Sequence, residues 1–225
     1  MILRMCLLAC MAEAMLLAES EAVERIHEAA RVFDEIMSAP DKAIPQELLF
    51  KAHCVGILPS VKKGGFIFGG RYGKGVLVCR GKDGVGWSGP STIRVEGGSF
   101  GLQIGATAID FVLLVMNERG AEKLLQSRFT IGAGATAAAG PVGRSTTAQT
   151  DALLHAEILS YSRSRGLFAG ASLQGATLRP DHSDNRRIYG KSVTPGQILH
   201  NEVPPPEAAK LLLDTLNKYS SRARG

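Results

Sequence analysis

The chain is short of cysteine, has a single tryptophan, and lacks any long apolar run. Of four cysteines in 225 residues, Cys6 and Cys10 lie near the N-terminus and only Cys54 and Cys79 fall in the body of the chain. Cys54 sits in the apolar run Ala52–Leu58 and Cys79 follows Val76-Leu-Val, so the default reading is two buried thiols. Export would allow them one disulfide, provided their strands are neighbours. The five histidines, His27, His53, His155, His182 and His200, stand singly. With no Cys or His spacing that suits a metal, no metal or other cofactor is expected. No apolar run reaches the roughly 18 residues needed to cross a bilayer, which excludes a membrane-spanning helix. Repeats and low-complexity linkers are also missing, so one domain is expected over 19–225.

The most local shortage is of acid. Between Ser60 and Lys82 there is no Asp or Glu, while Lys62, Lys63, Arg71, Lys74, Arg80 and Lys82 make six basic residues. The whole chain carries only +5, so this concentration is not an average property. Glycine pairs Gly64-Gly65 and Gly69-Gly70 alternate here with Phe66, Phe68, Tyr72 and Val76, which sit two or four apart as on one face of a strand. The stretch reads as a twisted hairpin with a basic rim, and such a rim attracts phosphate-bearing partners. A pI of 9.1 agrees with either nucleic acid or an anionic membrane. Twenty-six glycines against eight Phe, four Tyr and one Trp suit a β-rich fold better than a helical bundle.

Residues 1–18 are read as a leader: Arg4, an apolar run from Met5 to Ala12, and Ala12-Glu-Ala14 as a small-x-small cleavage site. Leu7-Leu-Ala-Cys10 offers a lipoprotein box instead, and a buried helix start is the plain alternative. Export to the periplasm or association with a membrane is therefore expected, with a cytoplasmic location as the alternative. From Glu19 to Met37, Val23, Ile26, Ala30, Phe33, Ile36 and Met37 recur at helical spacing. Six acids against two arginines give that helix a charge of −4, which an anionic surface would repel. Its stripe is therefore read as packing on the domain.

Further elements follow from local signals. Pro45 starts a short helix over 46–53; strands are expected at Val55–Leu58, Gly65–Tyr72, Val76–Arg80, Val85–Pro90 and Phe100–Ala108, with Asp83-Gly84 as a hairpin turn. Ile109–Met116 reads as a strand buried on both faces. A helix at 118–127, a small-residue strand at 129–139 and a strand pair, His155–Ser162 with Leu167–Leu178, come next. Thr194 as N-cap with Pro195 at N1, and a last helix from Pro206 to Tyr219, complete the chain. The fold class is α+β: a curved, mainly antiparallel sheet, barrel- or sandwich-like, with flanking helices on one side and an N-terminal amphipathic helix.

Several blocks occur in order along the chain: the glycine-rich stretch from Pro59 to Gly75, Trp87-Ser-Gly-Pro-Ser91, Gly97-Gly-Ser-Phe-Gly-Leu-Gln-Ile-Gly105, Met116-Asn-Glu-Arg-Gly120, Ala139-Gly-Pro-Val-Gly-Arg144 and Tyr161-Ser-Arg-Ser-Arg-Gly-Leu-Phe-Ala-Gly170. Together they resemble the SYLF domain, a lipid-binding module of bacterial exported proteins and of eukaryotic proteins of membrane traffic and cortical actin. The similarity spans about Ile44 to Tyr219. It implies a non-enzymatic phospholipid-binding domain acting at a membrane surface, with anionic phospholipids as partners. Lys62, Lys63, Arg71 and Lys74, with Arg163 and Arg165 of the serine- and arginine-rich turn, are the expected headgroup contacts.

Two other functions compete. A nucleic-acid binder is supported by pI alone, against aromatics that alternate as core residues do and the absence of a recognition motif, so no nucleic acid is expected. Gly97-Gly-Ser-Phe-Gly101 fits G-x-S-x-G, which would make Ser99 a hydrolase nucleophile, yet strand-like residues follow it where an elbow needs a helix. Gly190-Lys-Ser192 and the reversed spacing Gly70-x-x-Gly73-x-Gly75 are read as structural glycines. No catalytic residue is assigned. Asp110, one residue into an apolar run, needs a cation or several backbone donors to stay charged, and Arg71, Arg144, Arg163 or Arg165 is its expected partner. Asp110 and Arg144 are thus read as structural.

Overall fold

A computed structural model of the chain describes residues 21–39, 43–65, 68–81, 83–100, 105–132, 136–142, 156–164 and 167–220. Residues 21–37 form helix α1. Its stripe Ile26, Ala30, Phe33, Ile36 and Met37 is buried, together with Ala22, Ala29 and Val32, so apolar packing holds this acid-rich helix to the domain. Helix α2 (Gln46–Lys51) leads into β1 (Cys54–Gly65), β2 (Phe68–Cys79), β3 (Ser91–Phe100) and β4 (Gly105–Val115). Then come α3 (Glu118–Leu124), β5 (Phe129–Thr130), β6 (Ala137–Ala139), β7 (Ile158–Ser164), β8 (Leu167–Gly170) and β9 (Thr177–Pro180). Helices α4 (His182–Tyr189), α5 (Pro195–Leu199) and α6 (Lys210–Ser220) end the chain, the last preceded by a 3-10 turn at Glu207–Ala209.

Among the described residues the sheet has nine strands in the order β5-β9-β3-β2-β1-β4-β7-β6, with β8 also paired to β7. Every pairing is antiparallel except β6 with β7, and the sheet curls into a half-barrel. Strands β1 and β2 run 12 residues each, straight through the glycine pairs. Their backbone groups are paired there whatever the side chains, which is why the apolar pattern predicts shorter strands. The segment 85–90, expected as a strand, is a connection carrying one bridge, Arg80 to Trp87, with Gly84 and Gly86 at positive φ. The strand expected to run on to Leu178 stops at Gly170, and Leu178 instead lies in β9, paired with β3 and β5.

Alternation along the central strands sends side chains to two cores. Val55, Ile57, Val76, Val78, Val112 and Leu114 join α1, α2 and α6 in one cluster. Cys54, Leu58, Leu77, Leu113 and Val115 join Leu124 of α3 and Ile198 and Leu199 of α5 in the other. Helices therefore cover both faces, not the one expected. The run over 111–115 is buried on both sides, as its continuous apolar character requires.

Strand β1 is interrupted by a bulge. Register slips between Leu58 and Val61 against β4 and between Ile57 and Lys62 against β2. Pro59 cannot donate to a ladder, and Ser60 takes φ 51. The displaced backbone leans on β2, where a Cβ at Gly75 would stand 2.2 Å from the Ile57 carbonyl oxygen and one at Gly73 2.7 Å from Val61. The glycine spacing that mimics a reversed dinucleotide loop is room for this bulge.

Cys54 and Cys79 are register partners on β1 and β2 and form a disulfide, in place of the two free thiols taken as the default. Next to it lies a buried cation, Arg80. Arg80 is 9% exposed; it donates from Nε to Ala52 O at 3.2 Å and from Nη2 to Leu49 O at 3.3 Å and Ser220 O at 3.0 Å. Its guanidinium lies 4.1 Å from the centroid of the Trp87 ring. One cation thus satisfies carbonyls at the C-terminal ends of both α2 and α6, where the helix dipoles favour positive charge. Arg80→Met keeps the stem and strands those carbonyls, so we expect a loss of about 3–5 kcal/mol in urea unfolding. An unchanged midpoint would show that the latch contributes little.

Candidate functional site

The basic stretch does not form a single rim. Val61 faces the second core, so Lys63 shares its side and the exposed Lys62 faces the α1 side. Lys62 stands opposite Tyr72, and Lys63 opposite Arg71. Arg71 is in turn opposite Gly97 on β3, whose missing side chain leaves space beside the Arg71 stem: a Cβ there would lie 3.6 Å from Arg71 Cγ. Burial lowers the pKa of the Arg71 guanidinium, and its Nε has no hydrogen-bond partner among the described residues. Among the described residues no carboxylate forms an ion pair with Lys62, Lys63 or Arg71. The pairings Gly65 with Gly69, Phe68 with Phe100 and Gly65 with Gly105 bring the ends of β1 to β4 together beyond these cations.

Lys74 belongs elsewhere. Its Nζ lies 2.8 Å from Asp181 Oδ2 and 2.9 Å from Asp184 Oδ2, and Arg25 of α1 and Arg187 of α4 reach Asp184 at 2.9 and 2.7 Å. Asp181 caps α4, accepting from the Asp184 N–H at 3.2 Å and the Ser183 hydroxyl at 2.6 Å. Burial works against the Asp181 carboxylate, but Lys74, Ser183 and the Asp184 N–H outweigh it and bring its pKa from 3.8 down to about 2. Burial also opposes the Lys74 charge, and the same two carboxylates still raise its pKa. This network fastens α1 and α4 to the sheet. Lys74 is thereby separated from the cations it adjoins in sequence.

Arg163 is likewise engaged. Its Nε and Nη2 lie 2.9 and 2.8 Å from Asp110 Oδ2, and Nη1 pairs with Glu35 of α1. Asp110 Oδ1 accepts the Ser60 N–H at 2.8 Å. The partly exposed Asp110 carboxylate therefore has both the cation and the backbone donor that its place in the sequence calls for, and the cation is its own register partner on β7. Burial disfavours the Arg163 charge, but Glu35 and Asp110 raise its pKa. Arg144 and Arg165 lie outside the described residues.

Ser99 lies within β3, opposite Gly69, with the strand continuing to Phe100, so the backbone there has no strand-to-helix elbow. Gly190 closes α4 in the left-handed region at φ 66, the reason for a glycine before Lys191-Ser192.

Sequence reading missed a second cationic row. Lys74, Arg94 and Arg179 are successive register partners across β2, β3 and β9, and Glu96 serves both arginines, 2.9 Å from Arg94 and 3.8 Å from Arg179. Beside them Tyr72, expected to alternate into the core, is 49% exposed. Residues this far apart in the chain carry no joint signal until the strands are paired.

Fold and site together define a curled-sheet α+β domain whose β1–β2 end carries Lys62, Lys63 and Arg71 with no ion-pairing carboxylate among the described residues. Residues 96–219 match the Ysc84 family, described as "Las17-binding protein actin regulator", and the chain belongs to this SYLF-domain family. It is 36% identical over 195 residues to the "SH3 domain-containing YSC84-like protein 1" of Rattus norvegicus, covering 85% of this chain and 57% of that protein. It is 37% identical over 188 residues to the "LAS seventeen-binding protein 3" of Saccharomyces cerevisiae, covering 82% of this chain and 40% of that protein. The chain thus spans about half the length of these relatives, the second of which is named as a binding protein.

The depressed pKa of Asp181 gives a pH test. A carboxyl held at about 2 when folded and near 3.8 when unfolded adds stability that is complete above the higher value and lost as pH falls toward the lower. The urea midpoint should therefore drop between those two pH values at fixed ionic strength, and Asp181→Asn should lower stability at neutral pH and flatten that drop. Parallel pH profiles for the two proteins would remove Asp181 from the acid transition.

Proposed function

We propose that the chain is a non-enzymatic module that docks on anionic phospholipid surfaces through the sheet end carrying Lys62, Lys63 and Arg71. The observation that carries this reading is the cross-strand pair Lys63 and Arg71, with Lys62 adjacent, in which no described carboxylate offsets the charge. Like charges directly opposite on a sheet cost stability, and a surface of phosphates supplies the missing counter-charge. Lys74 and Arg163 are left out of the site because carboxylates already hold them. The family match supports a binding role, since the family description speaks of binding and regulation and one relative is named for binding. The Cys54–Cys79 disulfide supports an exported or periplasmic location, since such bonds persist in oxidising compartments.

A second reading has its own observation. Tyr72, half exposed, stands between Lys62 on β1 and Glu96 on β3, with Arg94 two residues from Glu96 on that strand, and an exposed aromatic beside an arginine is a composition that carries protein interfaces. It suits a protein partner from the machinery that the family description names, Las17 or actin.

Each charge near a membrane surface contributes on the order of 1 kcal/mol, so replacing Lys62, Lys63 and Arg71 together by alanine should weaken binding to phosphatidylserine vesicles by roughly a hundredfold at low salt. A triple variant that floats with those vesicles as the parent does would end the phospholipid reading. Tyr72→Ala should leave flotation unchanged and reduce co-sedimentation with actin filaments or capture by a Las17 fragment. If it alters neither protein assay, the second reading fails while the first stands.

A further inference from the structure

The strand ends that carry the disulfide also wall a cavity of about 290 Å³ on the face covered by α3 and α5. Both cysteines line it, with His53, Glu122 and His200 at its mouth, and all three of those residues are exposed, so the cavity communicates with solvent. The two sulfurs are not equivalent. Cys54 is 0% exposed and packs in the second core, whereas Cys79 is partly exposed at its margin.

We propose that Cys79 is a site of reversible S-thiolation, in which a low-molecular-weight thiol enters this cavity and exchanges with the disulfide. The thiolate sulfur of the incoming molecule attacks Cys79 Sγ, because Cys54 Sγ is shielded by the core. The Cys79–Cys54 bond breaks, its electron pair leaves on Cys54 Sγ, and that sulfur takes a proton. One mixed disulfide and one thiol result, with the original disulfide as the oxidant and no other reagent required. Cys54, 0% exposed in the second core, is held back from solvent and attacks back slowly, because exchange depends on access, so the adduct persists where an exposed dithiol would re-close. The sheet need not open for this, since β1 and β2 remain joined by backbone pairing from Val55 with Val78 to Gly65 with Gly69. The cavity is lined by Arg80 as well as by Glu118 and Glu122, a lining of both signs that suits a zwitterionic thiol such as a small cysteine-containing peptide.

The test uses the full chain with Cys6→Ser and Cys10→Ser, so that a single pair remains. Native protein incubated with reduced glutathione should gain one glutathione per chain by intact mass, and peptide mapping should place it on Cys79 over Cys54 by roughly tenfold or more. An adduct on Cys54, or no adduct until urea is added, would overturn the proposal. Single variants give an independent check. With Cys54→Ser, the remaining Cys79 thiol should react with a thiol reagent in the folded protein; with Cys79→Ser, the remaining Cys54 should react only on unfolding. Equal reactivity of the two in the folded state would also refute it.

Discussion

A single carboxylate holds the bend on which the architecture depends. Strand β1 has to depart from its ladder at Pro59 and Ser60, because proline offers no donor and Ser60 adopts φ 51. Asp110, on the neighbouring strand, accepts the Ser60 N–H with one oxygen and the Arg163 guanidinium with the other, and Arg163 continues to Glu35 on α1. The bulge, β7 and the covering helix are thereby set relative to one another by one connected chain of charges. Gly73 and Gly75 are the complement of that arrangement, since a side chain at either would meet the displaced strand. A bulge raises local twist and bends the strand that carries it, which accounts for a sheet that curls between two cores.

The same contrast between paired and unpaired charge sorts the basic residues by role. Lys74, Arg80, Arg163 and Arg25 each meet acceptors from other elements, and their positive charge is consumed in holding helices to the sheet. Lys62, Lys63 and Arg71 sit two or three residues beyond the bulge or its partner, where no described acid reaches them. A net charge of +5 therefore understates the local field at that end.

What was legible in the sequence was local chemistry. The stripe of α1, the Thr194–Pro195 start of α5 with its capping box, and the need of Asp110 for an arginine all follow from neighbours a few residues apart. The family resemblance also rested on ordered blocks. Lys62 and Lys63 are adjacent in sequence and so point to opposite faces, yet a charge-rich run viewed in one dimension looks like a single patch. Strand lengths were underestimated where glycine replaces apolar residues, because backbone pairing needs no side-chain pattern. The helices on the second face, the row from Lys74 to Arg179 and the placement of β9 beside β3 depend on pairings across roughly 80 residues or more, and only the assembled sheet reveals them. The disulfide needed the same knowledge, as β1 and β2 had first to be neighbours in register.

Arg80 has a consequence for the order in which the chain is made. Its guanidinium takes acceptors from Leu49 of α2, 31 residues earlier, and from Ser220, 140 residues later. During synthesis the strands around Arg80 leave the ribosome long before α6 exists, so the cation remains hydrated at the margin of an otherwise assembled sheet. Closure of that margin is a late, long-range step, and contacts of such separation slow folding. Until the final helix docks, the core that holds Trp87 lacks Leu212 and Leu216, so the last element to be made is also the one that closes the face on which α1 lies.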